Sequence, residues 1–159
     1  MTMIVLVVAV VAGGLWLRHY FSPAEVVKRQ FLGVVAAFEE ERLLGVMASI
    51  SRSYTDPWGQ SYEGLAGRIR EVQETYDALQ LDHELSEPRV GEFEVRLTFR
   101  FVLWGTFEGT RGYILGSLGD PCTATLLWRK EPQGWRLAAT EELDIPELRD
   151  ELEARRVDC

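Results

Sequence analysis

The feature that most constrains this chain is a change of hydrophobic period part-way along it. Between Val27 and Leu79 apolar residues recur at helical spacing, and from Leu81 onward they alternate with polar ones. A 3.6-residue stripe buries one side of a helix, whereas strict alternation buries one face of a strand. A chain that runs through the first pattern and then the second segregates its helices from its strands. That order predicts an α+β domain and argues against an alternating α/β one.

The helical part opens at Ser22-Pro23, an N-cap residue followed by Pro at the first helical position, with Glu25 in the first turn. Val27, Phe31, Val34, Val35 and Phe38 form its stripe, and Glu39-Glu40-Glu41-Arg42 ends it. A short second helix carries Leu43, Leu44, Val46, Met47 and Ile50. Ser51 to Tyr62 is rich in Ser, Asp, Pro and Gly and reads as a loop around a very short strand. A third helix is expected over 63–79, with Leu65, Ile69, Val72, Tyr76 and Leu79 facing inward.

In the strand part, Leu81, His83 and Leu85 alternate with Asp82, Glu84 and Ser86. Val90-Gly91-Glu92 reads as a hairpin connection. Val95, Leu97, Phe99, Phe101 and Leu103 mark the clearest strand. Residues 105–119 are glycine-rich and are expected to form a flexible excursion. Strands follow over 123–130 and 135–140, joined by a turn at Glu131-Pro132-Gln133-Gly134. Ile145-Pro146 opens a polar C-terminal helix or tail over 146–159. Sequential strands joined by short turns imply an antiparallel meander. The expectation is a curved antiparallel sheet wrapped around about three helices, a cystatin-like or cone fold, over 22–145.

Met1 to Leu17 carries no charged side chain. A spanning helix needs about 17–25 apolar residues, so this run sits at the short limit. Residues 1–21 are therefore expected to form an apolar N-terminal helix that anchors the chain as a single-pass membrane protein; a signal segment is the alternative. Arg18, Lys28 and Arg29 bias the following domain weakly toward the cytoplasm, and the side stays open.

The chain has 159 residues and a net charge of −8. The length fits one domain, and the charge argues against a nucleic-acid surface, which needs clustered Lys and Arg. Two cysteines, Cys122 and Cys159, form no CxxC and no Cys/His cluster at zinc spacing. No metal site and no cofactor are expected. A Cys122–Cys159 disulfide would need an oxidising compartment; free thiols are the favoured reading.

Ile50-Ser51-Arg52-Ser53-Tyr54-Thr55-Asp56-Pro57-Trp58-Gly59, followed by Tyr62-Glu63-Gly64 and a helix, resembles the nuclear transport factor 2-like superfamily where its first strand leaves the helical layer. Trp128-Arg129-Lys130-Glu131 and Gly134-Trp135-Arg136-Leu137 look like that superfamily's last hairpin. The resemblance covers roughly residues 22–143 and implies the cone fold. Its members include isomerases, dehydratases, cyclases, transport factors and secretion-assembly proteins, so it does not fix an activity.

Asp56-Pro57 resembles the pair that supplies the general base of ketosteroid isomerases. Such an enzyme also needs an oxyanion hole, from a Tyr on the first helix and a protonated Asp on a later strand. The first helix offers Phe31 and Phe38, and residues 123–130 hold no acid. The competing role for Asp56 is to cap its own turn. His83 falls on the inward face and could pair with Asp56 in acid–base chemistry if both line one cavity; as a plain structural residue it would bond the backbone or a Tyr, or a bulge would swap its face. Tyr54, Trp58, Tyr62, Tyr76, Phe99 and Trp104 are candidate pocket residues, with plain core as the alternative. Glu141 shares strand parity with Trp135, Leu137 and Ala139, which would place it at the pocket mouth; the competing reading is that the strand ends there and leaves Glu141 and Glu142 in water. Arg96, Thr98 and Arg100 project from the sheet's other face, a candidate surface for a homodimer or a membrane-protein partner, with a solvated face bridged to Asp82 or Glu84 as the alternative. Together these readings predict a membrane-tethered module that binds a small ligand or a protein and is non-catalytic. The alternative is a small lyase or isomerase using Asp56 and His83 on an apolar substrate.

Overall fold

The computed structural model describes residues 20–146. Ser22 accepts a hydrogen bond from the Glu25 amide at 3.4 Å and starts helix α1, Pro23–Glu39. A one-turn helix, α2, spans Leu43–Met47. Strand β1, Ile50–Thr55, leads through the Asp56 loop to α3, Tyr62–Thr75. Six strands follow: β2 Asp77–Leu85, β3 Arg89–Val90, β4 Glu94–Phe107, β5 Thr110–Leu115, β6 Cys122–Glu131 and β7 Gly134–Asp144.

These strands make one curved sheet in the order β1-β7-β6-β4-β2, with β3 and β5 also paired to β4. The backbone of the sheet is β4, whose fourteen residues are long enough to pair with β3 and β6 near its start and with β5 near its end. One pair departs from the expected meander. Strand β1 runs parallel to β7, with Ile50 opposite Leu137, because the helical layer separates β1 from the rest in sequence.

Helix α1 lies across the sheet. Val27, Phe31 and Val35 pack with Met47, Val95, Leu97, Phe99 and Trp128, and the last is fully buried. Phe31 meets the Phe99 ring edge-on at 4.8 Å, and Phe99 stacks on Phe101 at 5.1 Å. Dispersion and apolar burial of this kind hold the two layers together.

Three expectations are corrected. The third helix stops at Thr75, not at residue 79. Tyr76 is already extended, and Ala78 takes a φ of +49°, shifting the register of β2 so that Leu79 enters the core from a strand. The spacing Val72-Tyr76-Leu79 imitates a helix across that boundary. Second, residues 105–119 are not an excursion. Glu108 and Gly109, both at positive φ, make a two-residue turn that pairs Phe107 with Thr110 and creates β5. Third, Ile50 begins strand β1, because the short helix α2 already stops at Met47. The expected N-terminal anchor helix and C-terminal helix lie outside the described residues; among those described, no helix is long and apolar enough to cross a membrane.

Candidate functional site

A cleft of about 700 Å³ opens between α3 and the concave face of the sheet. That is within the range of small-molecule sites. Its apolar walls are Trp58, Leu65, Leu115, Leu143 and Ile145; its polar groups are Tyr54, Asp56, Gln60, Arg68 and Thr140. Four elements and a loop place them. Tyr54 comes from the end of β1, Asp56 to Gln60 from the loop, and Leu65 and Arg68 from one side of α3. Leu115 ends β5, Thr140 and Leu143 lie on β7, and Ile145 follows it.

Two hydroxyls meet in this cleft. Tyr54 Oη and Thr140 Oγ1 are 2.9 Å apart. Tyr54 is buried, and that burial pushes its phenol above its usual range; the Thr140 hydrogen bond opposes the shift and the nearby Asp56 charge adds to it. The phenol is therefore a neutral donor or acceptor at physiological pH.

Asp56 is committed to its loop. Its Oδ1 accepts from the Trp58 amide at 2.9 Å and the Gln60 amide at 2.8 Å. The Asp56 carbonyl accepts from the Gly59 amide at 3.0 Å, and Gly59 takes a φ of +73° that favours glycine there. Asp and Gly at these positions are turn chemistry. The loop holds Trp58 at the cleft with half its surface exposed.

His83 lies elsewhere. It lines a separate open hollow of about 330 Å³ with Asp82, Glu84, Arg100, Phe101, Val102, Leu118 and Pro121. Its Nδ1 is 3.0 Å from the Leu81 carbonyl, which can only accept, so Nδ1 carries a proton. Its ring meets the edge of Phe31 at 5.4 Å. Asp56 and His83 line two different hollows.

The aromatic candidates also divide. Tyr54 and Trp58 line the cleft. Tyr62 packs beside the core under the Arg52 guanidinium, which sits 4.2 Å from its ring centre. Phe99 is core. Tyr76 packs on Phe107, and Trp104 packs on Tyr113 while donating Nε1–H to Asp82 at 2.8 Å.

Glu141 is not at the cleft mouth. Two bulges in β7 account for this. Leu126 pairs with Thr140 and Thr125 with Glu142, so Glu141 is an extra residue; Ala138 is extra in the same way. The bulge at Ala138 slips the alternation by one and turns Thr140 toward the cleft; the bulge at Glu141 restores the original parity, so Leu143 faces the cleft as well. Glu141 instead receives Arg96 on the outer face, Nε at 2.8 Å and Nη2 at 2.9 Å. On that face Thr98 meets Thr125 at 3.0 Å, and Arg100 reaches Glu84 at 3.9 Å. Among the described residues no three His, Cys, Asp or Glu side chains gather as a metal site.

No family model matches the sequence, and no curated protein does. Solved structures match its fold. A nuclear transport factor 2-like superfamily protein from Salmonella enterica superposes with a TM-score of 0.63 at 12% identity, over 77% of this chain and 90% of that one. A ketosteroid isomerase-like protein from Erwinia carotovora gives 0.60 at 15% identity, over 79% and 98%. A domain with a cystatin-like fold from Nostoc punctiforme gives 0.59 at 13%, over 81% and 82%. At such identities the likeness is one of fold, and the chain has the curved-sheet α+β fold of nuclear transport factor 2-like proteins.

Proposed function

We propose that this domain is a non-catalytic binding module, tethered to a membrane by residues 1–21, whose cleft takes an apolar small molecule. The observation that carries the reading is the state of Asp56. Its Oδ1 is spent on two loop amides, and the other titratable side chains of the cleft are a phenol and a guanidinium. A general base must reach its proton within hydrogen-bond distance and have a partner to complete the transfer. The imidazole that would serve lines another hollow. What remains is an apolar hollow with a hydroxyl pair, suited to orienting a ligand. A protein partner on the Arg96, Thr98 and Arg100 face is a separate proposal, tested by the oligomeric state of a variant with Arg96→Glu.

The experiment is a titration with 1-anilinonaphthalene-8-sulfonate, read by its fluorescence and that of Trp58. Saturable one-to-one binding is expected, retained in Asp56→Asn and lost in Leu65→Trp, which fills the cleft from α3. Absence of saturable binding would refute the reading. So would a turnover abolished by both Asp56→Asn and His83→Ala, which would restore the lyase or isomerase alternative. The tether is tested by whether the full chain stays with membranes through alkaline carbonate washing.

A further inference from the structure

The domain has two ends, and the direction of α1 distinguishes them. The amide of Leu81 donates to Glu39 at the helix C-terminus at 2.8 Å, Phe31 packs on His83, and Lys28 reaches Glu87 at 3.5 Å. Moving toward the start of α1 therefore means moving toward the end of β2. Pro23 lies about 7 Å further along the helix axis than Lys28. The chain thus enters the domain at the end that holds β3, the turn between β3 and β4, and the turn between β6 and β7. Val90 pairs with Val95 and Glu94 with Arg129 at this level. The cleft is at the other end. Leu143 stands opposite Ala124, itself opposite Phe99, and Leu115 is opposite Leu103. Those levels are roughly 17 and 30 Å along β4 from Glu94.

The entry end exposes large apolar side chains. Phe21 is 66% exposed, Phe93 61% and Val90 51%. Arg29 stacks over the Tyr20 ring at 4.0 Å and donates to the Tyr20 carbonyl at 2.9 Å, a cation held against an aromatic ring. Among the nearby acids, Glu87 and Glu25 share Lys28, Glu94 reaches Arg96 and Arg129, and Glu92 stands beside Phe93 in the turn. The adjoining sequence is the uncharged run Ile4 to Leu17. Aromatic residues beside a cation, next to an apolar segment, are the pattern of a membrane–water interface.

We propose that this end is a lipid-contacting face, with Phe21, Val90 and Phe93 entering the interfacial layer and the cleft opening away from the bilayer. The inference rests on the tether proposed above. It goes further by fixing the domain's orientation. The far end also exposes apolar groups, among them Phe107 and Leu118, so exposure alone does not select the face. Continuity with the apolar segment does.

The test uses the full chain with Cys159→Ser, leaving the buried Cys122 in place. Single cysteines are placed by Val10→Cys, Phe93→Cys or Phe107→Cys and labelled with nitrobenzoxadiazole. The protein is reconstituted in phosphatidylcholine–phosphatidylglycerol vesicles containing doxyl-labelled lipid. Blue-shifted, strongly quenched emission at positions 10 and 93, with several-fold weaker quenching at 107, is expected. Quenching at 10 with equal emission at 93 and 107, wet or dry, overturns the orientation and leaves the tether standing. No quenching at 10 overturns the tether, and the lipid face with it.

Discussion

Helix α1 lies flat on the sheet and buries Val27, Phe31, Val35 and Ala37, whereas α3 buries no residue completely. Both helices carry an apolar stripe, and both start at a serine cap, Ser22 and Ser61. The difference lies in what faces the stripe. Beneath α1 stand Phe99, Leu97 and Trp128. Beneath α3 is the cleft. Leu65 and Ile69 only skirt the core, and a hydrogen bond from Gln73 Nε2 to the Phe38 carbonyl at 3.2 Å ties α3 to the other helix. An apolar stripe says which face of a helix avoids water, and does not say that protein covers it. Where it is left half-covered, a ligand can complete the burial.

The largest expected effect would break this comparison outright. Phe31→Ala should cost about 3–5 kcal/mol, through lost burial and the cavity left among Phe99 and His83. Leu65→Ala should cost about 1 kcal/mol or less, because the side chain is only half-buried to begin with. Urea unfolding of the two variants measures both. Equal costs would mean that α3 is core and the cleft is not open.

Next in size is Gly105→Ala. Gly105 lies where the chain beyond α3 crosses the sheet. A Cβ there would stand 2.5 Å from Ile114 Cδ1, 3.1 Å from Tyr76 Cβ and 3.3 Å from Leu79 Cδ2. The isoleucine tip can swing aside, and the Tyr76 Cβ cannot. Overpacking of this kind costs about 1–3 kcal/mol. Denaturation with hydrogen exchange at Val72 to Leu79 checks it. Unchanged protection would show that the C-terminal end of α3 is as loose as its middle, which would sharpen the contrast with α1.

Much of this was legible in the residues. The stripe Val27-Phe31-Val35 and the alternation Val95-Leu97-Phe99-Phe101 each place a side chain every turn or every second residue, and the packing honours both. The cleft lining was harder to read, because strand parity carries to a new residue only while no bulge intervenes. The bulge at Ala138 hid Thr140 and made Glu141 look inward, while Leu143 keeps the parity of Leu137 and was hidden because the strand reads as ending at residue 140. Leu115 was missed because Glu108-Gly109 is a weaker turn signal than Asn-Gly, although Tyr113-Ile114-Leu115 is a β-favouring run. Arg68 and Gln60 carried no signal, since an exposed polar residue beside a cleft looks like any other. The turn reading of Asp56 was available from Asp-Pro-Trp-Gly alone, and the two amide bonds match it.

The smallest expected effect concerns the region under α3. Tyr54→Phe removes the bond to Thr140 and should cost about 0.5–1 kcal/mol near neutral pH, as a partly water-accessible hydrogen bond does. Its pH dependence is the sharper measurement. An unfolded tyrosine ionises near pH 10. In the fold, burial first and the Asp56 charge second hold the Tyr54 phenol protonated to higher pH, against the pull of Thr140. Above pH 10 the unfolded chain releases this proton while the folded one keeps it, so folding stability falls as pH rises. The Tyr54 contribution is therefore whole below pH 10 and is lost as the pH climbs through the folded-state value. The other four tyrosines are present in both proteins and drop out of the difference. Urea midpoints for the wild type and Tyr54→Phe, compared from pH 7 to 11, should converge toward the alkaline end. A constant gap would mean that Tyr54 ionises as freely folded as unfolded. Its surroundings would then be wet throughout, and the helix above it would cover nothing that a ligand could use.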